Sequence, residues 1–426
     1  MSEVLRFSPE PTRFPPEPTL RDRAYAEKLD AADPLAGYRE RFLLEDPALI
    51  YLNGNSLGAL PLATLARLDT VYRAEWGTAL ARSWDHWVDL PARAGDVVGE
   101  LVGAAPGQVI VTDNTTVNLY KLATAALDAR PGRQVIITDH DNFPTDRYVM
   151  AGLAAQRGAE LRMLATDIDE GLDPDLVRAA VDQDTALVSL SHVAYRSGAL
   201  ADMAAITAIA HQAGALMLWD LCHAVGAVPV DLDGCDVDLA VGCTYKYLNA
   251  GPGAPAFAYV SAQLREILRQ PIWGWFSQRD QFAMGPRYDP APGMTKFMTG
   301  TPSIPGTAAV EEGARLLLEA GIEPMRTKSM QLTAYLIELA DAWLVPLGCA
   351  IATPREASRR GGHVSFCHPE AEQIVTRLAE AGVITDYRTP DRFRFGLPPL
   401  TTRFTDVWDA TEAARDLIAT GRYVHD

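Results

Sequence analysis

Residues 215–260 read ALMLWDLCHAVGAVPVDLDGCDVDLAVGCTYKYLNAGPGAPAFAYV. Three short apolar runs stand out, at 215–220, 238–244 and 255–260. They are apolar throughout rather than alternating. Strands buried on both faces read this way, and such strands belong to mostly parallel sheets covered by helices. The first run ends on an acid, Asp220, with His223 three residues on. Just after the second comes Lys246, between Tyr245 and Tyr247, followed by Gly251 and Gly253. In open parallel sheets, ligands bind beyond the carboxyl ends of the strands. Asp220 and Lys246 both stand where chemistry is expected.

Outward from this stretch, "QVIVTD" (108–113), "RQVIITD" (133–139) and "TALVSLSHV" (185–193) add three strand candidates. Helical patterns at 116–129 and 202–214 lie between them, the second closed by Gly214. Alternating strands and helices define an α/β class with a mostly parallel sheet. A proline- and glycine-rich stretch, 284–306, ends this region. A long helical pattern (307–344) and short strands near 361–366 and 392–396 then predict a smaller C-terminal α/β domain. The expected organisation is an arm at 1–50 packing on the small domain or a partner, a large domain at 51–306 and a small domain at 307–426.

The 426 residues are 48% hydrophobic, enough for a large core, and carry a formal net charge of −17. A diffuse acidic surface disfavours nucleic acid and anionic membrane as partners. The five cysteines form no CxxC pair, which predicts free thiols, no zinc site and a reducing, cytoplasmic setting. Cys222 and Cys243 flank the candidate site residues and read as small buried hydrophobes. The first twenty residues have no apolar h-region, so no signal peptide is expected. No apolar run is long enough to span a bilayer.

The chain has only five lysines: Lys28, Lys121, Lys246, Lys296 and Lys328. Lys28, Lys121 and Lys328 fall in helical patterns and are expected to be exposed; Lys296 falls in the loop-like stretch. Only Lys246 follows a core strand, between aromatics. A half-buried amine becomes a nucleophile toward carbonyls; the alternative is a surface lysine. Pyridoxal phosphate needs a lysine for its Schiff base and a carboxylate for its pyridinium nitrogen. Its phosphate needs an anion site. In "VIVTDNTTVNLYKLATAAL" a strand, a polar turn and a helix follow one another, with Thr115 and Thr116 at the helix N-terminus. Helix amides and hydroxyls can converge there on an anion, although plain N-capping reads the same.

Several segments together resemble the kynureninases, pyridoxal-phosphate enzymes of fold type I within aminotransferase class V. They are "YLNGNSLGALP" (51–61), "DNFPTDRY" (141–148), "WDLCHAVGAVPVDL" (219–232), "VGCTYKYLNAGPGAPAF" (241–257), "GWFSQRDQFAMGPRY" (274–288) and "RFGLPPL" (394–400). The resemblance implies a large domain with a seven-stranded, mostly parallel sheet and a smaller C-terminal domain. It implies Lys246 as the Schiff-base lysine, Asp220 as the pyridine partner supported by His223, and Phe143 stacked on the ring with Asp146 beside it. Thr115, Thr116, Ser191, Tyr245, Trp275 and Thr301 match cofactor-contacting positions. Trp275 and Thr301 would come from the partner chain of a homodimer whose active sites lie at the subunit interface.

Arg394 matches the arginine that holds the substrate α-carboxylate. A guanidinium fork on a strand face shared with Arg392 suits a carboxylate; a surface ion pair is the alternative. Asn55 and Ser56 would lie near the substrate, or form a plain turn. Trp84, in a cluster with His86 and Trp87, would line an aryl pocket, or serve as interface or core. His363 is expected to be structural. The implied reaction is hydrolysis of L-kynurenine, and of 3-hydroxy-L-kynurenine, to the anthranilate and L-alanine by Cβ–Cγ cleavage, with Tyr245 as a proton carrier. Other readings are a class-V desulfurase, lyase or aminotransferase, or a non-catalytic binding protein on the same fold. Kynurenine cleavage serves tryptophan breakdown, NAD synthesis or secondary metabolism, and the residues do not choose among these.

Overall fold

A computed structural model describes residues 18–423. The first seventeen residues of the expected arm, and most of the stretch read for a signal peptide, lie outside them. Seven strands form the main sheet: β1 (Val109–Val111), β2 (Val135–Asp139), β3 (Glu160–Leu164), β4 (Thr185–Ser191), β5 (Leu216–Asp220), β6 (Leu239–Gly242) and β7 (Phe257–Val260). Their order across the sheet is β1-β7-β6-β5-β4-β2-β3. The pairs β2–β3, β2–β4, β4–β5 and β5–β6 are parallel. Only β7 runs against its neighbours, β1 and β6. The α/β class, mostly parallel and seven-stranded, is as expected.

Strand β3 has no counterpart among the sequence candidates. Its sequence ELRML lies at the sheet edge with mostly half-buried side chains, and Arg162 is engaged by Glu160 and Asp182. A charged edge strand shields its unpaired backbone and loses the apolar signature that reveals a central one. The helical pattern at 307–344 is two helices, Ile304–Ala320 and Ile322–Trp343. They break at Gly321, whose φ of 81° suits glycine.

A second sheet holds β8 (Ala350–Ile351), β9 (His363–Cys367), β10 (Asp386–Arg388) and β11 (Arg392–Gly396), in the order β10-β11-β9-β8. Its core, including Phe366, Phe393, Phe395 and Tyr335, is a cluster separate from those flanking the large sheet. The helix Arg23–Ala31 docks on the helix Phe404–Thr420, where Asp30 accepts the amide of Phe404 at 2.6 Å and Arg23 meets Asp409 at 2.7 Å.

Two lysines expected on the surface are buried. Lys121 is 0% exposed and Lys328 4%. Each is paired at 2.6 Å, with Asp113 and Asp33 respectively. A paired charge can be buried, and a helical pattern alone does not disclose the partner. Lys296 is buried too, in the short turn Gly293–Phe297, where it donates to the Arg265 carbonyl.

Candidate active site

The carboxyl ends of β1, β2, β5 and β6 open on a cavity of about 160 Å³. Thr115, Thr116, Phe143, Asp146, Asp220, His223, Tyr245 and Lys246 all line it. Eight residues read from separate stretches therefore converge on one space. Lys246 is 8% exposed, with Nζ 3.4 Å from Nε2 and 3.5 Å from Nδ1 of His223. The same Nζ stands 5.7 Å from the ring centre of Phe143 and 5.8 Å from that of Tyr245. Phe143 is steadied edge-on by Tyr195, centroids 5.2 Å apart.

Asp220 closes β5. One of its carboxylate oxygens accepts the amide of Cys222 at 2.7 Å and the other the hydroxyl of Ser191 at 3.3 Å. Ser191 also donates to Asn142 at 2.7 Å, so it braces Asp220 from outside the cavity lining. Asp146 lies on the helix Pro144–Arg157, 1% exposed, with Oδ1 lacking any partner. Burial, then the charge of Asp220, pushes its carboxyl well above the usual range. Two buried acids with an orphaned oxygen call for a cationic donor from outside the chain.

Burial, followed by the charge of Lys246, holds His223 well below the ordinary histidine range, so its ring is neutral. Burial and the adjacent cysteines push the Tyr245 hydroxyl far up, so it keeps its proton at physiological pH. At the far wall, Asn114 caps the helix Thr115–Asp128 by accepting the amide of Val117 at 3.0 Å. The helix thus presents its positive end and two threonines to the cavity.

Arg394 is fully buried on β11. Asp386 on β10 grips it through both oxygens, at 2.6 Å to Nε and closer to Nη2, and Nη1 donates to the Tyr195 carbonyl. Asn55, also fully buried, turns its amide oxygen to Arg394, 3.0 Å from Nη2. Ser56 is half-buried in the same turn, its amide bonded to the Asn53 carbonyl at 2.9 Å. Arg392 is not part of this group; it binds Asp169 at 2.5 Å and Asp391.

Trp84 does not line the cavity. It packs against Trp87, centroids 5.3 Å apart, and Phe276 at 6.1 Å. Trp275 is 44% exposed and Thr301 is exposed; neither lines this chain's cavity. Cys222 and Cys243 are buried in its wall. Among the described residues, no group of three or more His, Cys, Asp or Glu is placed to hold a metal, and no helix is long and apolar enough to cross a membrane.

Residues 50–386 match the aminotransferase class-V family. The chain is 46% identical to a kynureninase of Pseudomonas fluorescens over 398 residues, 92% of this chain and 94% of the relative. It is 46% identical to a kynureninase of Burkholderia pseudomallei over 411 residues, 94% of this chain and 96% of the relative. The chain belongs to the kynureninase family, within aminotransferase class V. Among solved structures, a cysteine desulfurase from Escherichia coli superposes with a TM-score of 0.78 at 20% identity, covering 91% of this chain and 98% of that one. A C-DES variant with glycine covalently linked to its PLP cofactor gives 0.77 at 20% identity, covering 88% and 98%. These two share the fold with this kynureninase-family chain.

Two residues beside Arg394 were not foreseen. Asp386 and its neighbour Arg388, 2.9 Å apart, flank Arg394, and the Asp-x-Arg spacing on one face of β10 was the available signal. His363, read from the sequence as structural, has its ring centre 5.8 Å from that of His223. Burial and the charge of Arg394 hold it well below the usual histidine range, opposed by the Arg196 carbonyl.

Two consequences are testable. Gly58 donates to the Tyr245 carbonyl at 2.8 Å, and a Cβ there would sit 2.2 Å from the Lys246 carbonyl oxygen. Gly58→Ala is expected to cost about 1–3 kcal/mol in urea unfolding by forcing these backbones apart. Asp139, at the end of β2, has its carboxyl pushed up to about 7 by burial and the adjacent Asp141. A folded-state value above the unfolded 3.8 means stability is full below pH 4 and is lost as pH rises to about 7. Asp139→Asn does not titrate, so its melting temperature should exceed the native one by a margin that grows from pH 4 to 7 and then levels. A constant margin would refute the burial argument.

Proposed function

We infer that this chain hydrolyses L-kynurenine to anthranilate and L-alanine with pyridoxal phosphate as cofactor, and treats 3-hydroxy-L-kynurenine in the same way. The observation that carries this reading is 46% identity to kynureninases over more than nine-tenths of both chains. The cavity fits the cofactor on its own terms. Asp146 has an orphaned buried oxygen beside Asp220, which a protonated pyridine nitrogen would answer. Lys246 supplies the amine, Phe143 and His223 supply flat walls, and Thr115 and Thr116 stand at a helix N-terminus suited to the phosphate.

Bound pyridoxal phosphate supplies an electron sink conjugated to the substrate α-carbon. Arg394 holds the α-carboxylate. Asp386 and Tyr195 use three of its five guanidinium hydrogens and fix the plane of the fork, leaving two for Asn55 and the substrate. Lys246, when not holding the cofactor, takes the α-proton; its distance to a neutral His223 keeps it from being locked in an ion pair. Tyr245 retains its proton and offers it to the γ-carbonyl oxygen as water adds. Breakage of the Cβ–Cγ bond then releases anthranilate, and the three-carbon remainder takes up protons as alanine.

In one chain the site lacks Trp275 and Thr301, which we assign to the partner's site in a homodimer. Exposed Ile272, Trp273, Trp275, Phe282 and Met284 support such pairing. Trp84 and the Trp87 cluster then serve as interface or as a wall of the aryl pocket. The free cysteines support a cytoplasmic setting. The separate hydrophobic clusters support two parts, near the 51–306 and 307–426 read from the sequence, but the helix Ile304–Ala320 buries Ala309, Val310, Ala314 and Leu317 in the large part's cluster, which moves the boundary past it. Initial rates on L-kynurenine and 3-hydroxy-L-kynurenine, with cysteine as a control, test the substrate assignment. Sulfide release from cysteine without turnover of either kynurenine would place the chain's activity with the desulfurases instead.

A further inference from the structure

Lys121 is the fully buried lysine that the proposed chemistry leaves unused. It lies on the helix Thr115–Asp128, whose first turn faces the cofactor phosphate in the reading above. Its Nζ donates to Asp113 Oδ2 and to the Phe297 carbonyl, both at 2.6 Å. Asp113 directly precedes the capping Asn114 and has a φ of 47°, in the left-handed region. Its other oxygen accepts the hydroxyl of Thr299 at 2.8 Å. Its carbonyl accepts the amide of Ala256, a residue of the cavity wall, at 2.9 Å.

Thr299 carries the cluster onward. Its carbonyl accepts the amide of Phe276 at 3.2 Å. It also lies so close to Gly274 that a Cβ there would fall 2.0 Å from the Thr299 oxygen. Trp275 is thus held between two residues pinned to Thr299, and Thr301 follows two positions later. One ion pair, with its lysine fully buried and its aspartate half-buried, joins the turn that faces the phosphate to both residues assigned to the partner's site.

Stability alone is a poor reason for such a pair. Desolvating an ammonium and a carboxylate offsets most of their attraction, and apolar replacements are often neutral. What an apolar pair would not do is fix the unusual backbone of Asp113 and reach Thr299 at the same time. We propose that Lys121, Asp113 and Thr299 form a positioning cluster for phosphate recognition, setting the Thr115–Thr116 turn in register with the segments that bear Trp275 and Thr301. This rests on the reading of the cavity as a pyridoxal phosphate site in a homodimer.

The test is titration of the cofactor-free protein with pyridoxal phosphate and, separately, with pyridoxal, read by absorbance. Native protein, Lys121→Met, Lys121→Arg and Thr299→Val are compared, and thermal melting is recorded without ligand. Lys121→Met should weaken pyridoxal phosphate binding about 10- to 100-fold, the effect of misplacing charge-assisted hydrogen bonds. Pyridoxal binding should change by less than about twofold, because the misplaced groups serve the phosphate. Lys121→Arg should recover part of the loss, and Thr299→Val should cost less than Lys121→Met. The double variant should fall short of the product of the single effects, since both act through Asp113.

A lower melting temperature with an unchanged ratio of the two affinities would make the cluster merely structural and overturn the proposal. Should Lys121→Met fail to fold, Thr299→Val decides by the same ratio. Native protein that binds neither ligand would overturn the cofactor reading itself, and the inference with it.

Discussion

Lys246→Ala is expected to lower turnover of L-kynurenine by about 10⁴-fold or more, because the proposed mechanism gives one amine the work of both cofactor anchor and proton carrier. The fold should survive. Its terminal nitrogen stands 3.4 Å from the neutral ring of His223, so its removal breaks no ion pair there. Burial remains, but the second-largest force depressing His223, the charge of Lys246, disappears. The His223 titration, followed by NMR, should therefore move upward toward the ordinary range. A folded variant that keeps more than about a hundredth of native turnover would show that another group moves the α-proton.

The second large effect is expected at Arg394. Arg394→Lys keeps the charge opposite Asp386, so the buried carboxylate is still compensated, but it loses the planar fork. We expect kcat/KM to fall about 100-fold, chiefly through KM, as for loss of a charge-assisted hydrogen bond to the α-carboxylate. Stability should fall less than in Arg394→Met, which leaves the buried Asp386 with Arg388 as its remaining cationic partner and costs up to about 3 kcal/mol. Steady-state kinetics separate the cases. A fall in kcat at unchanged KM would make Arg394 a strut between β10, β11 and Tyr195 rather than a substrate ligand.

Much of this arrangement was legible in the order of residues. Central strands such as β5 and β6 are buried on both faces and announce themselves as apolar runs. Asp220 and Lys246 follow such runs, where an acid or amine is costly without a task. What was hidden depends on partners distant in the chain. Lys121 looks like any helix-surface lysine until Asp113 and Phe297 fold over it. Asp386 gains its meaning only when β10 pairs with β11 and puts it opposite Arg394. The edge strand β3 carries charges where a central strand carries valines. Trp84 illustrates the converse: an aromatic cluster is visible in sequence, but whether it faces a cavity or a neighbour is not, and here its contacts are Trp87 and Phe276.

Product stoichiometry tests the central claim most directly. Purified protein saturated with pyridoxal phosphate is incubated with L-kynurenine, and anthranilate and alanine are quantified by chromatography. Lys246→Ala is run beside it. The account predicts equal amounts of anthranilate and alanine, both absent with the variant. Kynurenine consumed without matching alanine, or no consumption by protein that carries its cofactor, would contradict it.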